Sequence, residues 1–203
     1  MSPPNILNSE VFAKEVKESF NGIENVKVTV LNRKQIEKRN MGLLIGVNSG
    51  SNCEARVVIV EYKGNPESKQ KTALVGKGII FDSGGYSLKP AKFSLGMKFD
   101  MSGAAVAAGA VKAIAKLESK SNFTAVLSIT DNLIGHKAIT TDVVLKAMNG
   151  KTVEINNTDA EGRLVMADAN VLATEELNAT RVVNIATLTG AMLAALGHTY
   201  TGV

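Results

Sequence analysis

Lys77 stands alone in an otherwise apolar run, residues 72–81 (TALVGKGIIF), and Asp82-Ser83-Gly84-Gly85 follows directly. A lysine so placed either snorkels from a strand edge or presents a buried amine for chemistry. Asp82 either bonds the amides of the glycine turn or offers a ligand. Further on, Asp100 precedes a helix rich in small residues (Ser102-Gly103-Ala104-Ala105). Asp100 or Ser102 could cap that helix. In Asn156-Asn157-Thr158-Asp159-Ala160-Glu161-Gly162-Arg163, three charged residues occupy alternate positions. In an extended segment they would share one face. Two carboxylates there need a cation between them, and Arg163 would be left for an anion. The other reading is a solvated turn at a helix start, where acids are favoured. Taken together, Asp82, Asp100, Asp159 and Glu161 come from three segments, accompanied by Lys77, Lys89 and Arg163. That inventory suits a pair of divalent cations about 3.5–4 Å apart, which can clamp and activate a water.

These residues need a frame that brings distant segments together. Residues 9–20 carry Val11, Phe12, Val16 and Phe20 near helical spacing, with Ser9 as candidate N-cap. Residues 26–31 alternate as a strand, 34–40 read as a short charged helix and 47–54 as a Gly/Ser/Asn loop. The runs 56–62 and 72–81 are apolar and of strand length, as expected for strands buried on both faces. Helices at 102–117, 163–177 and 190–196 alternate with strands at 124–129 and 181–187. Residues 131–150 have no clean period and read as a long loop with a short helix at 141–148. Strands alternating with helices predict an α/β fold with a mixed, largely parallel sheet flanked by helices. Sites in such folds collect at strand ends.

Composition narrows the function. Hydrophobic residues are 45% and charged residues 21% of the 203, which excludes disorder as a description of the whole. The chain reads as one domain, or one domain with an extension. No apolar run reaches the ~18 residues of a membrane span, and the first 25 residues lack a signal-peptide core. A single cysteine, Cys53, rules out an internal disulfide framework and a cysteine-based zinc site, and a reducing, cytoplasmic compartment follows. The two histidines are far apart, so a metal site would rest mainly on carboxylates. A net charge of +4 with 4% aromatic residues gives neither the basic stripe nor the stacking platform of a nucleic-acid binder.

The segments VGKGIIFDSGGYSLKP (75–90), MKFDMSGAA (97–105), NNTDAEGRL (156–164) and NIATLTGA (184–191) closely resemble the leucyl aminopeptidase family of metallopeptidases. The resemblance runs through nearly the whole chain from residue 3. It implies a phosphorylase/hydrolase-like α/β fold and a metallo-exopeptidase that removes N-terminal, preferentially leucine, residues from peptides. It implies two divalent metal ions. One would be held by Asp82, Asp159 (side chain and carbonyl) and Glu161. The other, tighter, would be held by Lys77, Asp82, Asp100 and Glu161, with Lys77 neutral because burial and cations lower its pKa. Zinc is expected, with manganese, magnesium or cobalt exchanging. The resemblance assigns attack on the carbonyl to a metal-activated water, oxyanion stabilisation to Lys89, and a bicarbonate proton shuttle to Arg163. Met97, Thr187, Leu188, Thr189 and Gly190 would bind substrate.

It also implies that residues 1–203 are part of a catalytic domain, without the family's N-terminal domain and the C-terminal portion that completes the pocket. Family members form hexamers of paired trimers. Residues 131–142 (DNLIGHKAITTD) depart from the family by lacking a proline, although Asn132 and Gly135 keep part of the pattern. The alternative to an active aminopeptidase is a truncated fragment that binds metal or assembles without turnover.

Overall fold

The computed structural model describes residues 2–202. In chain order its elements are helix α1 (Ser9–Ser19), strand β1 (Val26–Leu31), helices α2 (Arg33–Lys38) and α3 (Gly42–Asn48), and strands β2 (Arg56–Lys63) and β3 (Thr72–Asp82). A short helix α4 (Ala91–Ser94), the long helix α5 (Ser102–Lys116) and strand β4 (Asn122–Asn132) follow. Strands β5 (Val144–Lys146) and β6 (Thr152–Glu154), helix α6 (Glu161–Val171), strand β7 (Arg181–Ile185) and helix α7 (Ala191–Leu196) complete the chain.

The main sheet has the order β1-β2-β4-β3-β7. The β1–β2 and β2–β4 ladders are antiparallel, whereas β3–β4 and β3–β7 are parallel. Only β2 therefore opposes the common direction, and the sheet is mixed and largely parallel. The apolar runs of β2, β3 and β4 explain its central position, because each feeds a core on both faces. Val57, Ile59, Val75, Ile79 and Val126 point to one layer with Leu43, Leu44, Val47, Leu164, Val165 and Leu172, contributed by α3, α6 and the turn that follows α6. Val58, Val60, Leu74, Leu127 and Ile129 point to the other, with Phe12 and Val16 of α1 and Ala104, Ala107 and Val111 of α5. The period of two in each strand separates the layers. Small residues let α5 settle on the sheet: a β-carbon on Gly103 would stand 2.1 Å from the carbonyl oxygen of Ile185.

Several local expectations are corrected. Asn8, not Ser9, caps α1, accepting from the amides of Glu10 and Val11, while the Ser9 hydroxyl donates to the carbonyl of Glu54. Residues 42–48 form α3, so the loop expected over 47–54 starts after Asn48. The helix expected at 141–148 is instead the β5–β6 hairpin, turning at Asn149-Gly150. Its β-branched residues and Asn-Gly turn favour paired strands. Helix α6 begins at Glu161, two residues earlier than expected, and runs into a π-helical turn at Leu172–Glu176. Neither Asp100 nor Ser102 caps α5: the residue at that position is Met101, with no side-chain cap bond.

Candidate metal centre

The parallel half of the sheet brings the charged residues together at one end. Asp82 is the last residue of β3, and Lys77 lies in the interior of the same strand. Asp100 closes a 3-10 turn (Met97–Phe99) just before α5. Asp159 lies in a second 3-10 turn (Thr158–Ala160), and Glu161 opens α6. The extended geometry expected for 159–163 is not what the chain adopts. The turn and helix start still aim Asp159 and Glu161 at Asp82, and one oxygen from each of the three lies within 4.8 Å of the others. Helix geometry carries Arg163 away to an exposed position. It forms no ion pair among the described residues.

Lys77, Asp82, Asp100 and Glu161 are all buried. The Lys77 ammonium sits 2.7 Å from Asp100 Oδ2 and 2.8 Å from Glu161 Oε1. Lys89 mirrors it, 2.9 Å from Asp82 Oδ2 and 2.5 Å from Asp159 Oδ1. Snorkelling from an edge is therefore excluded for Lys77. The Thr187 hydroxyl donates to Asp100 Oδ1 at 2.7 Å. Asp82 Oδ1 accepts from the amide of Gly84 at 2.9 Å, so the bland turn role and the cluster role coexist.

Electrostatics report a strongly acidic interior. Burial pushes Glu161 up to about 7, restrained by Lys77 and reinforced by Asp82 and Asp100. Burial likewise pushes Asp100 up to about 6, against the pull of Lys77 and the Thr187 bond. For Lys77, burial favours the neutral amine, but the attraction of Glu161 and Asp100 outweighs it and the pKa rises. The depressed value expected from the sequence requires cationic charge in the cluster; carboxylates alone drive it the other way. Lys89 is also raised: burial opposes the charge, and bonds to Asp159 and Asp82 overcome it.

Four carboxylates face two ammonium groups, so the cluster favours additional positive charge. Asp100 Oδ2 and Asp159 Oδ1 are sealed from solvent, and each meets a lysine ammonium. Such buried oxygens fit a divalent cation.

A cavity of 470 Å³ opens beside the cluster, lined by Leu88, Lys89, Phe93, Met97, Asp159 and Gly190, among others. Of the expected substrate residues, Met97 and Gly190 line this cavity. Thr187 is committed to Asp100, Leu188 is half exposed, and the Thr189 hydroxyl accepts from the amide of Ala191. A larger cavity of 540 Å³, lined by Pro4, Phe81, Ala91 and Leu95, contains no carboxylate. Of the two, the smaller one adjoins the converging charged groups, through Lys89 and Asp159.

Sequence reasoning noted Asn132 only as part of the family's loop pattern and gave it no place in the site. Asn132, at the end of β4, is buried, and its Nδ2 lies 2.8 Å from Asp82 Oδ1, 3.0 Å from the carbonyl of Thr158 and 3.2 Å from Glu161 Oε2. The available signal was a polar pair, Asp131-Asn132, ending an apolar strand.

Against known proteins, the catalytic domain of the Cytosol aminopeptidase family matches residues 1–203. The chain belongs to the cytosol aminopeptidase family. It is 59% identical over its full length to a probable cytosol aminopeptidase of Metamycoplasma salivarium, covering 39% of that protein. It is 48% identical over 202 residues to one from Mycoplasma genitalium, covering 45% of it. The fold matches the leucyl aminopeptidase of Trypanosoma cruzi with a TM-score of 0.91 and 39% identity, over 97% of this chain and 39% of that one. The leucine aminopeptidase of Caenorhabditis elegans gives 0.88 and 36%, over 97% and 40%. The chain thus spans less than half the length of the relatives it matches. In this family member no described helix is long and apolar enough to cross a membrane.

Proposed function

We propose that this chain is the metal-carrying part of a leucine-preferring aminopeptidase that hydrolyses N-terminal residues from peptides in the cytoplasm. The observation that carries the reading is the convergence of Asp82, Asp159 and Glu161, flanked by Lys77 and Lys89, beside an open cavity. Asp82, Asp159 and Glu161 would hold one divalent ion, and Lys77, Asp82, Asp100 and Glu161 a second. When bound, such a pair supplies Lewis acidity and an activated water.

The remaining work falls to side chains. Lys89, held cationic and lining the cavity, is placed to donate to the oxygen of a scissile carbonyl as charge develops there. Leu88, Phe93 and Met97 offer an apolar wall to a leucine side chain, although discrimination at the methylene scale is modest. Exposed Arg163 offers a guanidinium fork to bicarbonate, which would carry protons to and from the reaction. Homo-oligomeric assembly, hexameric as in full-length family members, is in keeping with the exposed apolar side chains of Leu88, Phe93 and Leu95.

A second reading is a fragment that binds metal without turnover. Its support is α7, every residue of which is exposed, so the Thr187–Gly190 segment is followed by a helix with little packing to hold it. Hydrolysis of a leucine anilide decides between them, measured with zinc or manganese, with chelator, and in Lys89→Ala. Metal-dependent turnover that disappears in Lys89→Ala supports the aminopeptidase. Metal binding without turnover supports the fragment.

A further inference from the structure

We propose that Asn132 is the positioning residue of the cluster, orienting Asp82 and Glu161 so that each keeps one oxygen free for a cation. The inference rests on the metal-carrying reading above. The Asn132 amide reaches one oxygen of each carboxylate, Asp82 Oδ1 at 2.8 Å and Glu161 Oε2 at 3.2 Å. The opposite oxygens, Asp82 Oδ2 and Glu161 Oε1, are the ones that face Lys89 and Lys77. One neutral side chain therefore bridges two anions that come from different elements, sharing Asp82 Oδ1 with the Gly84 amide, and turns their opposite oxygens into the cluster.

The chemistry of the donor matters. A lysine or arginine at this place would neutralise the charge that attracts a cation, and an aspartate would add repulsion. An amide directs without doing either. Its two N–H groups serve three acceptors, the third being the carbonyl of Thr158 beside Asp159. Asp82 and Glu161 are thereby tied directly to the end of β4, and Asp159 only through the neighbouring Thr158.

The main chain of Asn132 extends the hold. Its carbonyl accepts from the Ser83 amide at 3.0 Å and from the Ser83 hydroxyl at 2.8 Å, fixing the turn next to Asp82. Thr158 completes the connection: its hydroxyl donates to the carbonyl of Gly84 at 2.7 Å and accepts from the amide of Ser87 at 2.7 Å. Asn132 thus joins the ends of β3 and β4 to the start of α6, and the bonds of its side chain are buried. Polar groups that orient ligands in this manner are typically worth about 10–100-fold in metal affinity.

The test titrates cobalt(II) into the unsubstituted chain, Asn132→Leu and Asn132→Ser, following the dissociation constant and the visible d–d absorption. Folding of each metal-free chain is checked by circular dichroism. Leucine approximates the volume without a donor, and serine keeps a donor too short to span both carboxylates. Expected are about 10–100-fold weaker binding in Asn132→Leu, a smaller loss in Asn132→Ser, and a changed d–d band in both. A merely structural residue would lower the folded fraction and leave the band of the folded fraction unaltered. Should Asn132→Leu fail to fold, Asn132→Ser decides. A folded variant with the affinity and spectrum of the parent overturns the assignment of Asn132 and leaves the metal reading intact. Absence of cobalt binding in the parent overturns the metal reading and this inference with it.

Discussion

Glu161 and Lys77 meet at 2.8 Å because the residue after Glu161 is glycine: a β-carbon on Gly162 would stand 2.6 Å from Lys77 Cε and 2.9 Å from Nζ. Helix α6 can start close to β3 only if that position is bare. Gly162→Ala should displace the lysine from its two carboxylates. The helix itself gains about 0.8–1 kcal/mol from alanine, which offsets part of the strain. The expected result is a chain of near-parental melting temperature with impaired metal binding. Calorimetric titration with zinc checks it; parental affinity would show that Lys77 accommodates the methyl group.

The ligand assignment makes a separate prediction. Asp159→Ala and Glu161→Ala should each lower the bound metal measured by atomic emission, Glu161→Ala more severely because Glu161 serves both proposed sites. Lys89→Ala should keep its metal, since its two acids remain. Unchanged stoichiometry in both carboxylate variants would contradict the assignment, and loss of metal in Lys89→Ala would make that lysine structural.

The acidic interior predicts an unusual pH dependence. Glu161 is raised from 4.5 to about 7 and Asp100 from 3.8 to about 6, while buried Asp131 and Asp168 are also raised, chiefly by burial. A carboxyl with a higher pKa in the folded state binds more protons folded than unfolded in the interval between the two values. Its stabilising contribution is complete below the unfolded value and is lost as pH rises through the folded one. The metal-free chain should therefore lose stability from about pH 4 to pH 7, by on the order of 2–3 kcal/mol for Glu161. Added zinc should oppose the loss most strongly near pH 7, where it no longer competes with protons. Urea unfolding across this range, with and without metal, gives the comparison; a metal-free stability that rises toward pH 7 would contradict it.

Asp168 carries a structural prediction away from the site. One of its oxygens accepts from the amides of Leu43 and Leu44 at the start of α3, and the other from the amide of Met148 beside the β5–β6 hairpin. Helix α3 has no cap of its own at Met41, so this buried carboxylate on α6 supplies one. Asp168→Ala would leave three donors unsatisfied and should cost about 3 kcal/mol or more. Asp168→Asn retains one acceptor and should cost less. Denaturant midpoints rank the two, and an Asp168→Ala chain as stable as the parent would argue that water replaces the carboxylate.

Much of the frame was legible in the residues. An alternating run gave β1, near-continuous apolar runs gave β2 and the interior of β3, and small-residue spacing gave α5, because those patterns record burial directly. The hairpin at 144–154 and helix α3 were not legible as such. The first is too short for its period to speak, and its Asn-Gly turn is the stronger signal. The second is an almost wholly apolar run without a cap, whose missing polar partner, Asp168, lies far along the chain.

The site divides in the same way. Residue types alone determined that this chain carries an excess of carboxylates at glycine-rich turns, a lysine in an apolar strand and no thiol or histidine cluster, and hence that any metal would meet oxygen and amine. Tertiary structure decided which acids meet and how. Pairing of β3 with β4 set Asn132 beside Asp82, and the tight approach at Gly162 set Glu161 on Lys77. Starting α6 at Glu161 turned Arg163 outward. Ligand chemistry is local and can be read from side chains, whereas the orientation of each carboxylate depends on contacts between segments that only the folded chain brings together.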